Sequence, residues 1–313
     1  MPQQNVLAFR PSMKTNQLSI LLIALLPLLG CQQEEESRLP AFEGNRAFKE
    51  VEALVQFSPR DAGTPSGKQA AEHIANRLKT FGIQTKINTF TAQTPAGKKT
   101  MHNVIGRIPG TTDRWIILGS HFDTMPGIEN FQGANDSGSS TGILLEIARL
   151  SAKLKPKIGI IFAFFDGEEG IADYIPGDGL HGSREFAQQL KRTGENKRVN
   201  AMILLDMVGD EHLHFTVPYN SAQNLVKELF AAAYATDCRN RISLSQGFII
   251  TDDHIPFLEV GIPAIDLIDF RFGSTPTKND YWHTPADNLK NIRAESLEIT
   301  GKLTLQLLKQ LAF

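Results

Sequence analysis

The sequence predicts an α/β fold in which a mostly parallel central sheet is flanked by helices. From about residue 45 onward, short segments of β-type composition alternate with segments of helical periodicity. The segments 157–165 (KIGIIFAFF) and 201–208 (AMILLDMV) are almost entirely apolar, as expected of parallel strands buried on both faces. The chain of 313 residues is also long enough to bury one large core.

Local patterns predict where most elements lie. Helices are predicted over 71–78, 138–154, 220–235 and 294–311, and strands over 85–90, 103–108, 115–119, 157–165, 201–208 and 263–268.

The predicted fold also indicates where functional residues should lie. Because ligand sites of such sheets collect at the carboxyl ends of the strands, functional residues are expected directly after strands.

The N-terminus has the features of a targeting segment. Residues 18–29 are apolar and uncharged, but they are fewer than the roughly 20 residues that span a membrane. The sequence LLGC, ending at Cys31, resembles the lipobox of bacterial lipoproteins. This resemblance implies a signal peptide over 1–30, lipidation of Cys31, a flexible tether over 31–44 and a single domain over 45–313. We expect an exported, membrane-anchored protein, with the outer membrane and periplasm favoured; an uncleaved N-terminal anchor is the alternative.

Charge and cysteine content exclude some classes of protein. Removal of residues 1–30 takes away Arg10 and Lys14, which leaves 30 of the 32 basic residues against 34 acidic ones. No basic stripe is present, so a nucleic-acid partner is not expected. The only cysteine besides Cys31 is Cys238, so lipidation of Cys31 would exclude an intramolecular disulfide.

Ionisable side chains follow the predicted strands at several points. Each alone has an ordinary explanation, such as a helix N-cap for an Asp. Their repetition at one expected edge of the sheet is what indicates a site. The residues concerned are His121 and Asp123 in SHFD, Asp136 in GANDSG, Glu168 and Glu169 in DGEE, Asp206 in LLDMVG, Asp252, Asp253 and His254 in TDDHIPF, and Trp282 and His283 in YWHT.

These residue types suit a zinc enzyme. Histidine nitrogens and carboxylate oxygens bind zinc, and a catalytic zinc keeps one position open. Residues two apart in a strand face the same side, so Asp123 could orient the ring of His121. Of the adjacent Glu168 and Glu169, one could bind metal while the other acts as a general base.

The motifs resemble those of the zinc aminopeptidases with co-catalytic metal sites. They resemble more narrowly the animal-type glutaminyl-peptide cyclotransferases (glutaminyl cyclases), with SHFD, GANDSG, DGEE, LLDMVG, DDHIPF and WHT in the same order over roughly residues 60–310. The resemblance implies a three-layer, zinc-aminopeptidase-like sandwich of the phosphorylase/hydrolase type and a catalytic zinc domain over 45–313.

The resemblance also implies roles for individual residues. Glu168 would be the proton-shuttling base. In the peptidases, His121 and Asp206 would complete a second zinc site with Asp136 as the bridge; in the cyclases, the corresponding residues form hydrogen bonds within the site. The zinc ion common to both branches would be held by Asp136, Glu169 and His283.

Three features favour the cyclase branch. Residues 170–181 separate DGEE from GSR, and the cyclases carry an insertion of similar length that ends in D-x-L-x-G-S-R. Asp252 stands where a cyclase Asp contacts the reacting amide. Trp282 stands where a cyclase Trp forms a wall of the substrate pocket. Tyr174 stands where the cyclases have a Trp, so it would be the second aromatic wall of a pocket that differs from theirs.

The favoured function is therefore conversion of N-terminal glutamine of peptides to pyroglutamate with release of ammonia. We expect a monomer that holds one or two zinc ions and acts on peptide or protein N-termini. Two alternatives stay open. One is a di-zinc aminopeptidase that releases N-terminal residues. The other is a non-catalytic surface-binding lipoprotein on a degenerate peptidase fold.

Overall fold

The computed structural model describes residues 41–172, 175, 177–247 and 249–313. The predicted signal peptide, Cys31, most of the predicted tether and Tyr174 lie outside the described residues. Within the described part of the chain, no helix combines the length and apolar character needed to cross a membrane.

Seven helices and eight strands make up the described domain. The helices are α1 (Gly44–Leu54), α2 (Pro65–Thr80), α3 (Ser140–Ser151), α4 (His181–Thr193), α5 (Gln223–Ala235), α6 (Ile255–Glu259) and α7 (Ala294–Ala312). The strands are β1 (Gln84–Thr94), β2 (Gly97–Ile108), β3 (Trp115–His121), β4 (Gly159–Phe165), β5 (Val199–Asp206), β6 (Phe215–Val217), β7 (Ile242–Leu244) and β8 (Ala264–Ile268).

All eight strands form one sheet in the order β1-β2-β4-β3-β5-β8-β6-β7. The central strands β4, β3, β5 and β8 are mutually parallel, and antiparallel pairing is confined to β1–β2, β2–β4 and β6–β8. The predicted α/β fold with a mostly parallel central sheet is confirmed. The carboxyl ends of β3, β4 and β5 therefore lie side by side, and this edge is where the functional residues collect.

The sheet separates two apolar layers, and β4 contributes to both. All seven residues of β4 are buried. Because successive residues in a strand point to opposite faces, Phe162 and Phe164 pack in the larger layer, whereas Ile161 and Phe165 pack in the smaller one. This two-sided burial is why 157–165 is apolar without alternation.

Several boundaries differ from the predictions. The helix predicted over 138–154 begins only at Ser140, because Ala134–Ser139 form an irregular turn in front of it. Helix α1 begins at Gly44, and Phe42 before it is buried against Gly301 of α7, where a side chain larger than hydrogen would meet the Phe42 ring.

Five elements of the described domain were not predicted from the sequence. Helix α4 (HGSREFAQQLKRT) carries many polar residues and buries only one face, and α1 was likewise not predicted. The other three, α6, β6 and β7, are three to five residues long and carry too little pattern to be recognised.

Candidate active site

The predicted site residues come together at the carboxyl edge of the sheet. His121 is the last residue of β3, Asp206 is the last residue of β5, and Glu168 and Glu169 follow β4. Asp136 lies in the irregular turn before α3. These strands are adjacent and parallel, so side chains that are distant in the sequence share one site.

Asp136 lies between two imidazole rings. Its Oδ1 is 3.1 Å from Nε2 of His121, and its Oδ2 is 3.4 Å from Nε2 of His283. Nε2 of His283 is also 3.2 Å from Oε2 of Glu169, and Nε2 of His121 is 3.3 Å from Oδ1 of Asp206. Two ligand sets thus share the carboxylate of Asp136.

The spacing around His283 fits a zinc ion. Ligand atoms about 2.0–2.2 Å from a tetrahedral zinc lie about 3.3–3.6 Å apart. The 3.2 and 3.4 Å distances from His283 to Glu169 and Asp136 match this spacing. Nε2 of His283 is itself buried, and it has no hydrogen bond of normal geometry with any described residue. A metal ion would satisfy this nitrogen, and a donor set of one imidazole and two carboxylates suits zinc.

Asp123 connects the strand that carries His121 to the turn that carries the two glutamates. Its Oδ1 is 3.5 Å from Nδ1 of His121, on the opposite side of the ring from Asp136. Its two carboxylate oxygens also accept the backbone N–H groups of Glu168 and Glu169, at 3.1 and 3.2 Å. Asp123 is therefore placed to orient the imidazole, as the H-x-D spacing suggested, and it also holds the DGEE turn.

Glu168 faces a cavity of about 230 Å³ together with Asp136, Asp206 and Asp252. The side chain of Glu168 is almost fully buried. Burial raises the pKa of Glu168 well above its usual range; nearby Glu169 adds to this effect and His121 opposes it. A carboxyl group with a raised pKa holds a proton more readily than an ordinary one, so it is suited to accept and then return a proton.

The rest of the cavity lining is aromatic and apolar. Trp282 borders the cavity and stacks on the ring of His283, with ring centroids 4.1 Å apart. Phe270 also borders it and meets Trp282 edge-on at 5.9 Å. Met207 and Ile250 complete this wall. The cavity lining thus combines carboxylates with an apolar surface.

Arg60 and Asp287 hold the turn that carries Asp136. Asp287 accepts the backbone N–H groups of Asn135 and Asp136 at 2.7 and 3.0 Å. The fully buried guanidinium of Arg60 donates to the backbone carbonyl groups of Phe122, Gln132 and Gly133. Asp287 follows the WHT motif closely in the sequence (WHTPADN), whereas no comparably specific motif marks Arg60.

A further acidic residue, Asp266, was missed. It lies in the middle of β8 (AIDLI), is fully buried, and stands close to Asp252 and His254. An acidic residue inside an otherwise apolar strand is the signal that could have identified it, because burying a charge without a partner is costly.

Known proteins share this architecture. The model for Peptidase family M28 matches residues 103–308. A glutaminyl-peptide cyclotransferase of Drosophila melanogaster is 30% identical over 257 residues, which cover 74% of this chain and 71% of the relative.

Two solved structures extend the comparison. A glutaminyl cyclase from an Acidobacteriales bacterium has a TM-score of 0.81 and 33% identity, covering 87% of this chain and 96% of its own. A Zn-dependent exopeptidase from Parabacteroides distasonis has a TM-score of 0.75 and 29% identity, covering 86% of this chain and 98% of its own. The matched regions include the cavity and both ligand sets. This chain belongs to peptidase family M28, in the branch that contains the glutaminyl-peptide cyclotransferases.

Proposed function

We propose that this protein is a zinc-dependent glutaminyl-peptide cyclotransferase, which converts N-terminal glutamine of peptides to pyroglutamate and releases ammonia. The observation that carries the proposal is the cavity of about 230 Å³, which Glu168, Asp252 and Trp282 border together. This volume is below the roughly 300–1,000 Å³ of pockets for drug-sized ligands, and it suits one side chain rather than a length of peptide. The likeness to proteins named for this activity supports the same conclusion.

Asp136, Glu169 and His283 would hold the zinc ion. When bound there, zinc supplies Lewis acidity to a substrate carbonyl. Glu169 and Glu168 are neighbours in the sequence, so the residue proposed to hold the metal places the proposed base directly beside it. Asp123 fixes both through their backbone N–H groups.

Glu168 would move the proton in the reaction. It accepts a proton from the α-amine as the amine nitrogen bonds to the side-chain carbonyl carbon, and it then gives that proton to the amide nitrogen. The carbon–nitrogen bond of the amide breaks, ammonia leaves, and no peptide bond is cut. Because nucleophile and electrophile belong to one residue, positioning alone supplies a large part of the rate.

Asp252 would accept a hydrogen bond from the side-chain amide N–H of the substrate, and Trp282 would cover the glutamine side chain and exclude water. Asp252 and Trp282 both border the cavity. Substrates would be peptide or protein N-termini, and the cavity would receive the side chain of the first residue.

A di-zinc aminopeptidase is the second candidate, and one observation favours it. Nε2 of His121 lies 3.1 and 3.3 Å from Asp136 and Asp206, so this second ligand set also has zinc-like spacing. In the one-zinc enzyme that we favour, Asp206 would instead hydrogen-bond to His121 and support the carboxylates of the cavity. Counting zinc in the purified protein distinguishes the two occupancies.

The decisive experiment is mass spectrometry of a glutamine-leading peptide incubated with the zinc-loaded protein. We expect the peptide to lose ammonia at full length. Release of free glutamine would instead establish the aminopeptidase. A peptide with N-terminal leucine serves as the matched control, because it cannot cyclise and is shortened only by a peptidase. If both peptides stay unchanged, catalysis is refuted and the non-catalytic binding protein is favoured.

We also propose that Cys31 anchors the protein to a membrane as a bacterial lipoprotein, with the outer membrane and periplasm favoured. Support for this comes from the apolar segment 18–29 and the LLGC sequence.

A further inference from the structure

Three segments at the amino edge of the sheet, opposite the candidate active site, form one connected surface. They precede β3, β4 and β5 and comprise residues 109–114, 152–158 and 194–198. The backbone N–H of Thr112 donates to the carbonyl group of Lys157 at 3.0 Å. The guanidinium of Arg114 donates to the carbonyl group of Lys197 at 2.6 Å. These hydrogen bonds fix the three segments relative to one another.

The connected segments expose basic side chains. In 152–158 (AKLKPKI), three exposed lysines alternate with Leu154, which is partly buried, and Pro156, which is buried. We use the name basic face for the six exposed basic residues of the three segments, which are Arg114, Lys153, Lys155, Lys157, Lys197 and Arg198.

Few negative charges oppose the basic face. Its three segments contain only two acidic residues, Asp113 and Glu195, and Glu195 is already paired with Arg107 of β2 at 2.9 Å. Glu259, in a neighbouring segment, pairs with Arg184 at 3.7 Å. The whole chain has 32 basic residues against 34 acidic ones, so the positive excess is local and does not follow from the composition.

No basic stripe is visible in the sequence, because the six residues come from segments that precede three different strands. These strands are neighbours only in the folded sheet, in the order β4, β3, β5. The fold therefore assembles the charge.

The composition of the basic face suits anionic lipid headgroups. Four of its six residues are lysines, and a lysine ammonium is a mobile point charge, whereas arginine is the residue that forms fixed, planar pairs with a single phosphate. Clusters of about four to eight basic residues close to a membrane anchor are typical of proteins that bind anionic lipids.

The predicted tether keeps a membrane within reach of the basic face. Helix α7 begins beside the start of α1, where the backbone N–H of Gly44 is 3.4 Å from Oε2 of Glu298. It ends at the basic face, where the carbonyl group of Ala312 accepts the N–H of Lys157 at 2.9 Å. A helix of 19 residues is about 28 Å long. Residues 32–43 can span up to about 40 Å, which exceeds this distance.

We propose that the basic face docks on anionic lipid headgroups and orients the domain with its active site away from the membrane. Strand β5 runs from Val199, next to the basic face, to Asp206 in the active site. Its eight residues separate the two edges by about 26 Å, so the cavity stays open to peptide N-termini.

The inference rests in part on the proposed anchor at Cys31. The lipid anchors the chain and the basic face orients it, because attraction between exposed charges is screened at physiological salt. Loss of the lipid should therefore still release the protein from a membrane under those conditions.

The test is co-sedimentation of the full chain carrying Cys31→Ala with vesicles of phosphatidylcholine, alone or with phosphatidylglycerol added. The readout is the ratio of binding to the two kinds of vesicle, so that any binding through the apolar segment 18–29 affects both alike. We expect tighter binding to the phosphatidylglycerol vesicles at low salt, and high salt should remove the difference. Equal binding to both vesicles at low salt would overturn the proposal.

The variant K153Q/K155Q/K157Q removes three charges from the basic face. Each basic residue near an anionic surface strengthens binding about fivefold, so we expect the binding ratio to fall about 100-fold. Because the three lysines are exposed, the variant should keep the Tm of the parent. An unchanged ratio would refute the role of these lysines.

The matched control K49Q/K98Q/K290Q removes the same charge at exposed positions toward the carboxyl edge. Lys49 lies in α1, Lys98 in the turn between β1 and β2, and Lys290 just before α7. Charges further from the membrane than the Debye length of about 10 Å contribute little, so the ratio should stay within about threefold of the parent. An equal fall in both variants would mean that net charge alone drives binding, which would overturn the basic face.

Two further measurements decide the orientation and the class of partner. An environment-sensitive dye at residue 155, attached through Lys155→Cys in the Cys31→Ala chain, should change its emission when phosphatidylglycerol vesicles are added. The same dye attached through Lys98→Cys should not, and a change at residue 98 alone would refute the orientation; the native Cys238 is buried. Binding to DNA but to neither kind of vesicle would instead make the partner a soluble polyanion. Palmitate labelling of the parent tests Cys31 separately, so failure of the anchor and failure of the basic face are distinguishable.

Discussion

Replacement of Arg60 by methionine tests whether this buried guanidinium holds the metal turn. Arg60 donates to three backbone carbonyl groups close to His121 and Asp136, and also to the hydroxyl group of Ser58. Methionine keeps most of the apolar stem and removes every one of these hydrogen bonds. Two opposing effects decide the free energy of unfolding of the variant.

The favourable effect is loss of a buried charge. Burial lowers the pKa of Arg60 from 12.5 to about 10. At about 1.4 kcal/mol per pKa unit, removing the charge recovers roughly 3 kcal/mol. The unfavourable effect is loss of the hydrogen bonds to carbonyl groups, each worth about 1.5–3 kcal/mol for a charged donor.

The three carbonyl groups do not depend equally on Arg60 as a hydrogen-bond donor. Those of Gln132 and Gly133 keep second donors, the hydroxyl group of Ser58 and the backbone N–H of Gly138, whereas Arg60 is the side-chain donor to Phe122. With those two bonds at the lower end of the range, the loss is about 4.5–6 kcal/mol, so we expect the free energy of unfolding of Arg60→Met to be about 1.5–3 kcal/mol lower than that of the parent. Zinc affinity should fall about 10- to 100-fold, as it does when residues that orient metal ligands are lost.

The assay is urea denaturation of the zinc-free proteins, followed by a competition measurement of zinc affinity. Arg192→Met is the matched control: Arg192 is exposed and bonds to Glu185, and such surface pairs are worth about 0–1 kcal/mol. Arg60→Lys should not restore zinc affinity, because one ammonium cannot span the carbonyl groups that the planar guanidinium reaches. Stability of Arg60→Met within about 1 kcal/mol of the parent, with unchanged zinc affinity, would refute the reasoning.

Four further predictions concern other parts of the chain. Glu168→Gln should lower kcat at least about 100-fold while zinc content stays that of the parent; loss of zinc from this variant would mean that the roles of the two glutamates are reversed. Gly142→Ala should destabilise the fold by about 1–3 kcal/mol in urea denaturation, because its Cβ would lie 2.6 Å from a Val51 methyl group of α1. Burial raises the pKa of Asp269 from 3.8 to about 7, so between these pH values the folded protein keeps a proton that the unfolded chain has lost, and stability falls as pH rises from about 4 to 7. Asp269→Asn should flatten this fall in Tm between about pH 4 and 7, and an unchanged slope would contradict it. Cys31→Ala should abolish palmitate labelling and release the protein from the membrane fraction; a labelled variant would exclude Cys31 as the acceptor.

The central strands could be predicted because strands that are buried on both faces consist almost entirely of apolar residues. The segments 157–165 and 201–208 correspond to β4 and β5, and both are buried on both faces. Strands β6 and β7 have only three residues each and are held by pairing across the sheet, as between Phe215 and Ile242. Such elements depend on partners that are distant in the sequence, so local pattern does not reveal them.

Motifs predicted the chemical types of the site but could not supply its geometry. The order of SHFD, GANDSG, DGEE and WHT indicates which residues belong to one site. The resemblance implied that Asp136 is shared by two ligand sets, but not the distances at which its carboxylate faces His121 and His283, because these depend on the irregular turn before α3. Asp266 stands out in the sequence as an acidic residue within the apolar segment AIDLI. That it lies close to Asp252 and His254 could be seen only once β8 was placed in the sheet.

The fold class, the candidate zinc ligands and the peptidase superfamily could be predicted from the sequence, because apolar periodicity and motif spacing are local properties of the chain. The packed structure was needed to show how closely Asp136 approaches the two imidazoles, which imidazole nitrogens lack a hydrogen-bond partner among the described residues, and how Arg60 and Asp287 hold the metal turn. Those features depend on distances of a few ångströms between residues that lie up to about 150 positions apart, and only the packed sheet sets such distances.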